Sequence, residues 1–273
     1  MHFRTGAPIP ARFKGKIALV TGGSAGIGKA TAEQLCKEGS TVVFTSNERE
    51  AGTHAERELS AFGAAKFLFG DMGSSAFHKE IAAAVHGLGG RLDLVVNNAF
   101  SFIAKGSDAT EKEWDTIMRV GPMGYAGVVQ AMLPYMKSHG GSIVNVSSIS
   151  AFIAQPNRWT YNAAKGAVHT LTKCMALDLA PFGIRVNSVS PGWIWTREVD
   201  KAAQGNREKW EPVWGQFHML ERLGEPIEVA RAILFLLSDD ASFITAADLA
   251  VDGGYQGLGS EGLGKASSFA GSK

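Results

Sequence analysis

KIALVTGGSAGIG, residues 16–28, is the stretch that decides the fold. Lys16 to Thr21 is a short continuous apolar run, the composition of a strand buried on both faces of a parallel sheet. The run breaks at Gly22, and a helical pattern follows from about Ile27 to Gly39. Strand, glycine turn and helix in that order are the setting a glycine-rich phosphate loop requires. Gly22 permits the tight turn, Gly26 lets the backbone approach a pyrophosphate, and Gly28 allows the helix to pack close to the strand. The helix start then offers free N–H groups and a positive dipole end to an anion. A glycine triplet alone is equally an ordinary turn. The flanking elements and a later Asn97-Asn98-Ala99 turn favour the phosphate loop.

Outward from this segment, strand and helix patterns alternate. Apolar strands are predicted at 41–45, 65–69, 93–97, 142–146, 185–189 and 248–251, with helices at 49–61, 76–88, 111–137, 160–180 and 227–237. The 111–137 helix is interrupted in pattern by Gly121-Pro122. Such alternation, with no long polar linker and no internal repeat, predicts a single-domain α/β fold. Its sheet is doubly wound and parallel (Rossmann-type), in three α/β/α layers.

A second signal lies in WTYNAAKGAV. Tyr161 and Lys165 are four residues apart, so both leave one face of a helix. A nearby ammonium favours the phenolate, which suits a tyrosine to acid or base work near neutral pH. Alone, the spacing is usually a solvated helix face. It gains weight from Ser148, thirteen residues upstream at the end of an apolar run. Two hydroxyl donors beside a cation can stabilise an oxygen on which negative charge develops.

Composition narrows the classes. The chain has 273 residues, a net charge of +1 and 45% hydrophobic content, which points away from nucleic acid, anionic membranes and disorder. No apolar run is long enough to span a bilayer, and the N-terminus lacks the apolar core of a secretory signal. Cys36 and Cys174 are the two cysteines, read as buried thiols of a reducing, cytoplasmic setting, with no metal site expected.

Taken together and in order, TGGSAGIG (21–28), Asp71, NNA (97–99), Ser148, YNAAK (161–165), RVNSVSPG (185–192) with Thr196, and VDGG (251–254) resemble the short-chain dehydrogenase/reductase family. The resemblance spans about 14–255, leaving an N-terminal extension (1–13) and a Gly/Ser-rich tail (256–273). It implies hydride transfer between a nicotinamide cofactor and a carbonyl or alcohol. Tyr161 would be the acid/base, Lys165 would lower its pKa and hold the nicotinamide ribose, and Ser148 would orient the substrate oxygen. Gly22, Ser24, Gly26, Ile27 and Gly28 would form the phosphate loop. Asp71 and Met72 would sit at the adenine, with Asn97, Asn98 and Ala99 behind the cofactor. Pro191, Gly192, Ile194 and Thr196 would bracket the nicotinamide.

Two departures from the family pattern stand out. In WDTIMRVGPMG the position usually held by Asn is Gly121, followed by Pro122, which should kink the helix or open its hydrogen bonding. Either another group fills the gap, or proton relay is impaired and the chain is a cofactor-binding homologue with little turnover. The intact Ser148–Tyr161–Lys165 set favours the first reading. The other departure is Phe100, where the family often has Gly, and it should narrow the floor beside the cofactor.

Cofactor choice rests on VVFTSNERE. NAD enzymes usually carry Asp or Glu at the end of this strand to bind the ribose 2′-hydroxyl. Here Ser46 and Asn47 stand there, and Arg49 is placed to pair with a 2′-phosphate, so NADP(H) is favoured over NAD(H). Phe100, Gln155, Trp159, Trp193, Trp195 and Trp214 are expected to join Ser148 around the substrate, many of them near a 197–220 insertion where the family keeps a lid. They suggest a cyclic or bulky substrate, with an NAD-dependent sugar or cyclic-diol dehydrogenase as the alternative. Arg158, Arg197 and His218 are further polar candidates, His218 being read as a lid surface residue. The resemblance also implies a homotetramer or homodimer. Trp114, Met118, Val128, Val129, Met132 and Met136 supply apolar surface for the interface, and the tail reaches towards a neighbour.

Overall fold

The computed structural model describes residues 6–259 and 262. Most of the tail expected to reach a neighbour lies outside the described residues. The chain runs β1 (Ile17–Val20), α1 (Gly26–Lys37), β2 (Thr41–Ser46), α2 (Arg49–Ser60), β3 (Ala65–Phe69), α3 (Ser75–His86), β4 (Leu94–Asn97), α4 (Glu111–Met118), α5 (Gly124–Met132) and β5 (Gly141–Val146). It continues through α6 (Trp159–Leu179), β6 (Ile184–Pro191), α7 (Arg197–Ala202), α8 (Arg207–Gly215), α9 (Pro226–Leu237) and β7 (Asp248–Val251). All strands pair in parallel in the order β3-β2-β1-β4-β5-β6-β7.

Strand alternation explains why the sheet is covered twice. Val20, Phe44, Val96 and Val144 point to one side, where α1, α2 and α9 pack. Leu19, Val43, Val95 and Ile143 point to the other, against α3, α5 and α6. Successive side chains leave opposite faces, so an apolar strand needs a helical layer on each. This is a single-domain Rossmann-type fold. β1 sits between β2 and β4, so the chain winds outward in both directions from it, and a crevice opens at the carboxyl ends of these strands.

The interrupted long helix is two helices. Between α4 and α5, Arg119–Met123 forms a π-helical turn in which Gly121 leaves helical geometry (φ −78°, ψ −111°) ahead of the buried Pro122. Proline cannot donate to the ladder, and the wider turn absorbs that loss. The 197–220 insertion contains the short helices α7 and α8.

Three expectations need correction. Cys174 is exposed, on the outer face of α6, while Cys36 is buried. Val128, Val129, Met132 and Met136 are core residues packed under the sheet, because α3 and α6 flank α5 and bury most of its apolar residues. His218 is 3% exposed and accepts a hydrogen bond from the Trp193 N–H at its Nε2, so it is an internal support rather than a surface residue.

Candidate active site

The crevice begins at the phosphate loop. Its cavity of about 650 Å³ is lined by Gly22, Ser24 and Gly26 on one side and by Asp71, Met72, Asn98 and Ala99 on the other. Ser46 and Asn47 line its far end. Ala25 caps α1 without a side-chain acceptor, which leaves the first-turn N–H groups for a ligand. The loop is built for close approach: a β-carbon on Gly28 would stand 2.2 Å from the Gly22 carbonyl oxygen, and Gly22 itself has φ +67°. Asn98 locks the turn, donating from Nδ2 to the carbonyls of Thr21 (3.0 Å) and Gly22 (3.1 Å). An open channel, bare backbone at its middle and hydroxyls at its end fit an extended dinucleotide.

The channel continues into a second chamber of about 440 Å³, sharing Ala25, Asn98, Phe100, Phe102 and Thr196 with the first. Ser148 follows β5, and Tyr161 and Lys165 lie in the first turns of α6, which packs on that strand's end. All three line the chamber. Ser148 is within hydrogen-bonding reach of the Tyr161 phenol. Its Oγ also accepts the Ser150 N–H at 3.1 Å, which fixes its direction. Lys165 Nζ donates to the Val146 carbonyl at 2.8 Å and lies 5.8 Å from the centre of the Tyr161 ring.

Burial sets the electrostatics. It pushes the Lys165 ammonium down to about 7, because a desolvated cation is disfavoured. Burial also raises the Tyr161 phenol above its ordinary value, partly offset by the Ser148 hydroxyl and the Arg158 charge. Two hydroxyls converging on one apolar chamber can donate to an oxygen that gains negative charge.

Known proteins resemble this chain over most of its length. A family model described as enoyl-(acyl carrier protein) reductase matches residues 22–256. Cyclopentanol dehydrogenase of Comamonas testosteroni is 39% identical over 250 residues, covering 89% of this chain and 98% of that protein. NADP-dependent (R)-specific alcohol dehydrogenase of Lentilactobacillus kefiri is 35% identical over 251 residues, covering 89% and 98%. Trans-4-hydroxycyclohexanecarboxylate dehydrogenase of Sinomonas cyclohexanicum is 36% identical over 249 residues, covering 88% and 92%. The chain belongs to the short-chain dehydrogenase/reductase family. It is an oxidoreductase that uses a nicotinamide cofactor and acts on CH–OH groups.

Within this short-chain dehydrogenase/reductase, Ile27, Pro191, Gly192, Ile194 and Thr196 line the chamber, with Phe100, Gln155, Trp193 and Trp214. Other expected residues lie elsewhere. Trp159 is 60% exposed at the start of α6 and turns away from the chamber. Trp195 is covered by the Arg207 guanidinium, 4.8 Å from its ring centre, outside the wall. Arg49 lies over the Phe69 ring at 4.0 Å, because α2 carries it past the end of β2. Asn97 is fully buried, donating to Asn145 Oδ1 at 2.9 Å, so it supports β4 and β5 from below the channel.

Two wall residues escaped the sequence reading. Phe102 meets the Tyr161 ring edge-on at 5.0 Å. Glu48 lines the far end of the channel beside Asn47, and Arg197 reaches it from α7. Glu48 was visible in SNERE, one residue beyond Asn47. Its pairing with a residue 149 positions away was not.

Proposed function

We propose that this enzyme interconverts a cyclic or bulky secondary alcohol and its ketone, with Tyr161 as acid/base, Ser148 orienting the oxygen and Lys165 providing the positive field. The observation carrying this reading is the chamber itself. Its wall is mainly apolar and aromatic, with Trp193, Trp214, Phe100 and Phe102 around it, and the two hydroxyls stand together at one point. A ring-shaped substrate fills such a space, while its single oxygen finds the only paired donors it needs. The names of two relatives, which act on cyclopentanol and a hydroxycyclohexane carboxylate, support the same class.

The nicotinamide cofactor supplies the hydride when bound. The protein's part is proton and position. In the reducing direction Tyr161 gives its proton to the substrate oxygen as charge develops, and Ser148 holds that oxygen with a hydrogen bond. The helix start at Gly26 and the bare loop would hold the pyrophosphate. Ser24 donates to Ser46 at 2.8 Å, and with Asn47 these neutral groups suit a 2′-phosphate. Arg197, rather than Arg49, is the cation at that end, but it is paired with the Glu48 carboxylate, so the support for NADP(H) over NAD(H) in this reading is the neutral Ser46 and Asn47.

We also assign a homotetramer or homodimer, in the cytoplasm. The support is exposed apolar surface, with Met123 at the turn before α5 and Leu177 on α6. No helix among the described residues is long and apolar enough to cross a membrane.

The test is oxidation of NADPH and of NADH at 340 nm against cyclic, linear and sugar ketones, with Tyr161→Phe beside the parent. Turnover of cyclic ketones that drops at least about 100-fold in Tyr161→Phe, with nucleotide binding kept, is expected for a lost acid/base. Sugar ketones turned over in preference would move the assignment to a sugar dehydrogenase. Tight binding without turnover in either direction would leave a cofactor-binding homologue.

A further inference from the structure

Gly121 and Phe100 both depart from the pattern of the family, and the structure brings them into contact. A β-carbon at 121 would stand 2.6 Å from Phe100 Cε2, closer than real β-carbons come, and 3.0 Å from Cζ. The Phe100 ring therefore occupies the space into which a side chain at 121 would project. The same ring lies over the ammonium of Lys165, 3.6 Å from Nζ to its centre. It is held edge-on by Tyr125 (6.3 Å) and Tyr161 (5.6 Å), so its position is fixed by two neighbours besides glycine.

We propose that Phe100 and Gly121 are an interdependent pair, in which the aromatic ring takes the place of the missing asparagine side chain and serves as a positioning residue for Lys165. Gly121 leaves room for the ring, and the non-helical turn before Pro122 keeps the backbone out of its way. The negative face of the ring attracts the ammonium. The Val146 carbonyl accepts from the same Nζ at 2.8 Å, so the cation is clasped between a carbonyl and a ring beside Tyr161. Water is kept from the ammonium by the same ring, which agrees with the strong burial of this lysine. This inference rests on the catalytic reading above for its kinetic consequence, but the pairing itself does not.

Five proteins test it: the parent, Phe100→Gly, Gly121→Asn, the double variant, and Phe100→Leu, which keeps bulk without a π face. Thermal unfolding reads the pairing. Gly121→Asn alone should lower Tm by several degrees, and the same change in the Phe100→Gly background should be neutral or raise it. Equal shifts in both backgrounds would overturn the pair. Acetylation by acetic anhydride, followed by mass spectrometry, reads the cover over Lys165 without any need for turnover. Lys165 should react about tenfold faster in Phe100→Gly than in the parent, relative to exposed Lys137 as internal standard, and unchanged reactivity would overturn the positioning role. If the parent turns over ketones, Phe100→Leu should lower kcat about tenfold with substrate KM within threefold. A raised KM with unchanged kcat would make the ring only a pocket wall. A parent without turnover would count against the proposed function alone, and unfolding and acetylation would still decide this inference.

Discussion

Arg197, at the first turn of α7, donates to the carboxylate of Glu48, just past the end of β2, with Nη1 at 2.7 Å from Oε2 and Nη2 on the other oxygen. The pair closes over the far end of the channel and ties the insertion to the carboxyl end of β2. Both side chains are about half exposed, so the bridge contributes little to global stability. Its role is local: it holds the insertion down, and under the proposed NADP(H) reading it sets a cation near the 2′-phosphate. Arg197→Ala should leave Tm within about 2 °C, raise KM for NADPH about tenfold and change KM for NADH less than threefold. Equal losses for both nucleotides would make the pair a closing strap without a say in cofactor choice. Glu48→Gln should lower KM for NADPH, since it removes the competitor for the guanidinium.

Lys165 gives the protein a pH signature. Its folded pKa is pushed down to about 7 from an ordinary 10.5. Between those values the unfolded chain binds a proton that the folded chain has lost, so stability rises with pH across this window. Below about pH 7 both states are protonated, and the full cost of the buried cation is present. Denaturant unfolding at pH 6.5 and pH 9, without nucleotide, should therefore show the parent more stable at pH 9 by an increment that Lys165→Met loses. An equal pH response in the two proteins would mean that Lys165 is not the group responsible.

Much of this architecture was legible because it follows from period and punctuation. Lys16 to Gly28 fixes a buried strand, a tight turn and a helix, and the six strands that follow carry the same apolar signature. Ser148, Tyr161 and Lys165 were legible because one helical turn and one strand end set their spacing. What was not legible depends on contacts made across long stretches of chain. Val129 and Met132 look like spare apolar surface on a helix read alone, yet α3 and α6 cover them. Trp159 and Trp214 look alike in sequence, and only the direction of the chain at the start of α6 sends one to solvent and the other to the chamber. Gly121 read alone suggested a missing part. Its meaning changed once Phe100 was found against it.

The phosphate loop yields a sharp backbone test. At Gly28 any side chain meets the Gly22 carbonyl oxygen and Asn98 Nδ2, groups that are already bonded to each other. Neither can move without opening the turn. Gly28→Ala should cost about 1–3 kcal/mol, the usual range for an overpacked site, and weaken nucleotide binding more than tenfold. Gly166 on α6 is an internal comparison, with nothing within 4 Å of an added β-carbon. Gly166→Ala should be neutral or slightly stabilising, as alanine is the better helix former. Isothermal titration with NADPH and thermal unfolding of both variants would check the contrast.

Trp214 and Trp159 separate pocket from surface. Trp214 stands on α8, 5.4 Å from Trp193 and 5.1 Å from Trp210 between ring centres, so three indoles form a stack at the chamber's outer wall. Removing Trp214 opens the wall and takes away the flat face a ring substrate would rest on, while Ser148 and Tyr161 keep their positions. Trp214→Ala should therefore lower kcat/KM for cyclic ketones at least about tenfold, mostly through KM, because the lost contact serves ground state and transition state alike. Small linear ketones, which need less of the wall, should lose less than threefold. Trp159→Ala should leave both substrates within about twofold, since that ring is turned away from the chamber. Uniform losses across both substrate classes in Trp214→Ala would mean that the indole stack braces the fold of α8 rather than selecting the substrate.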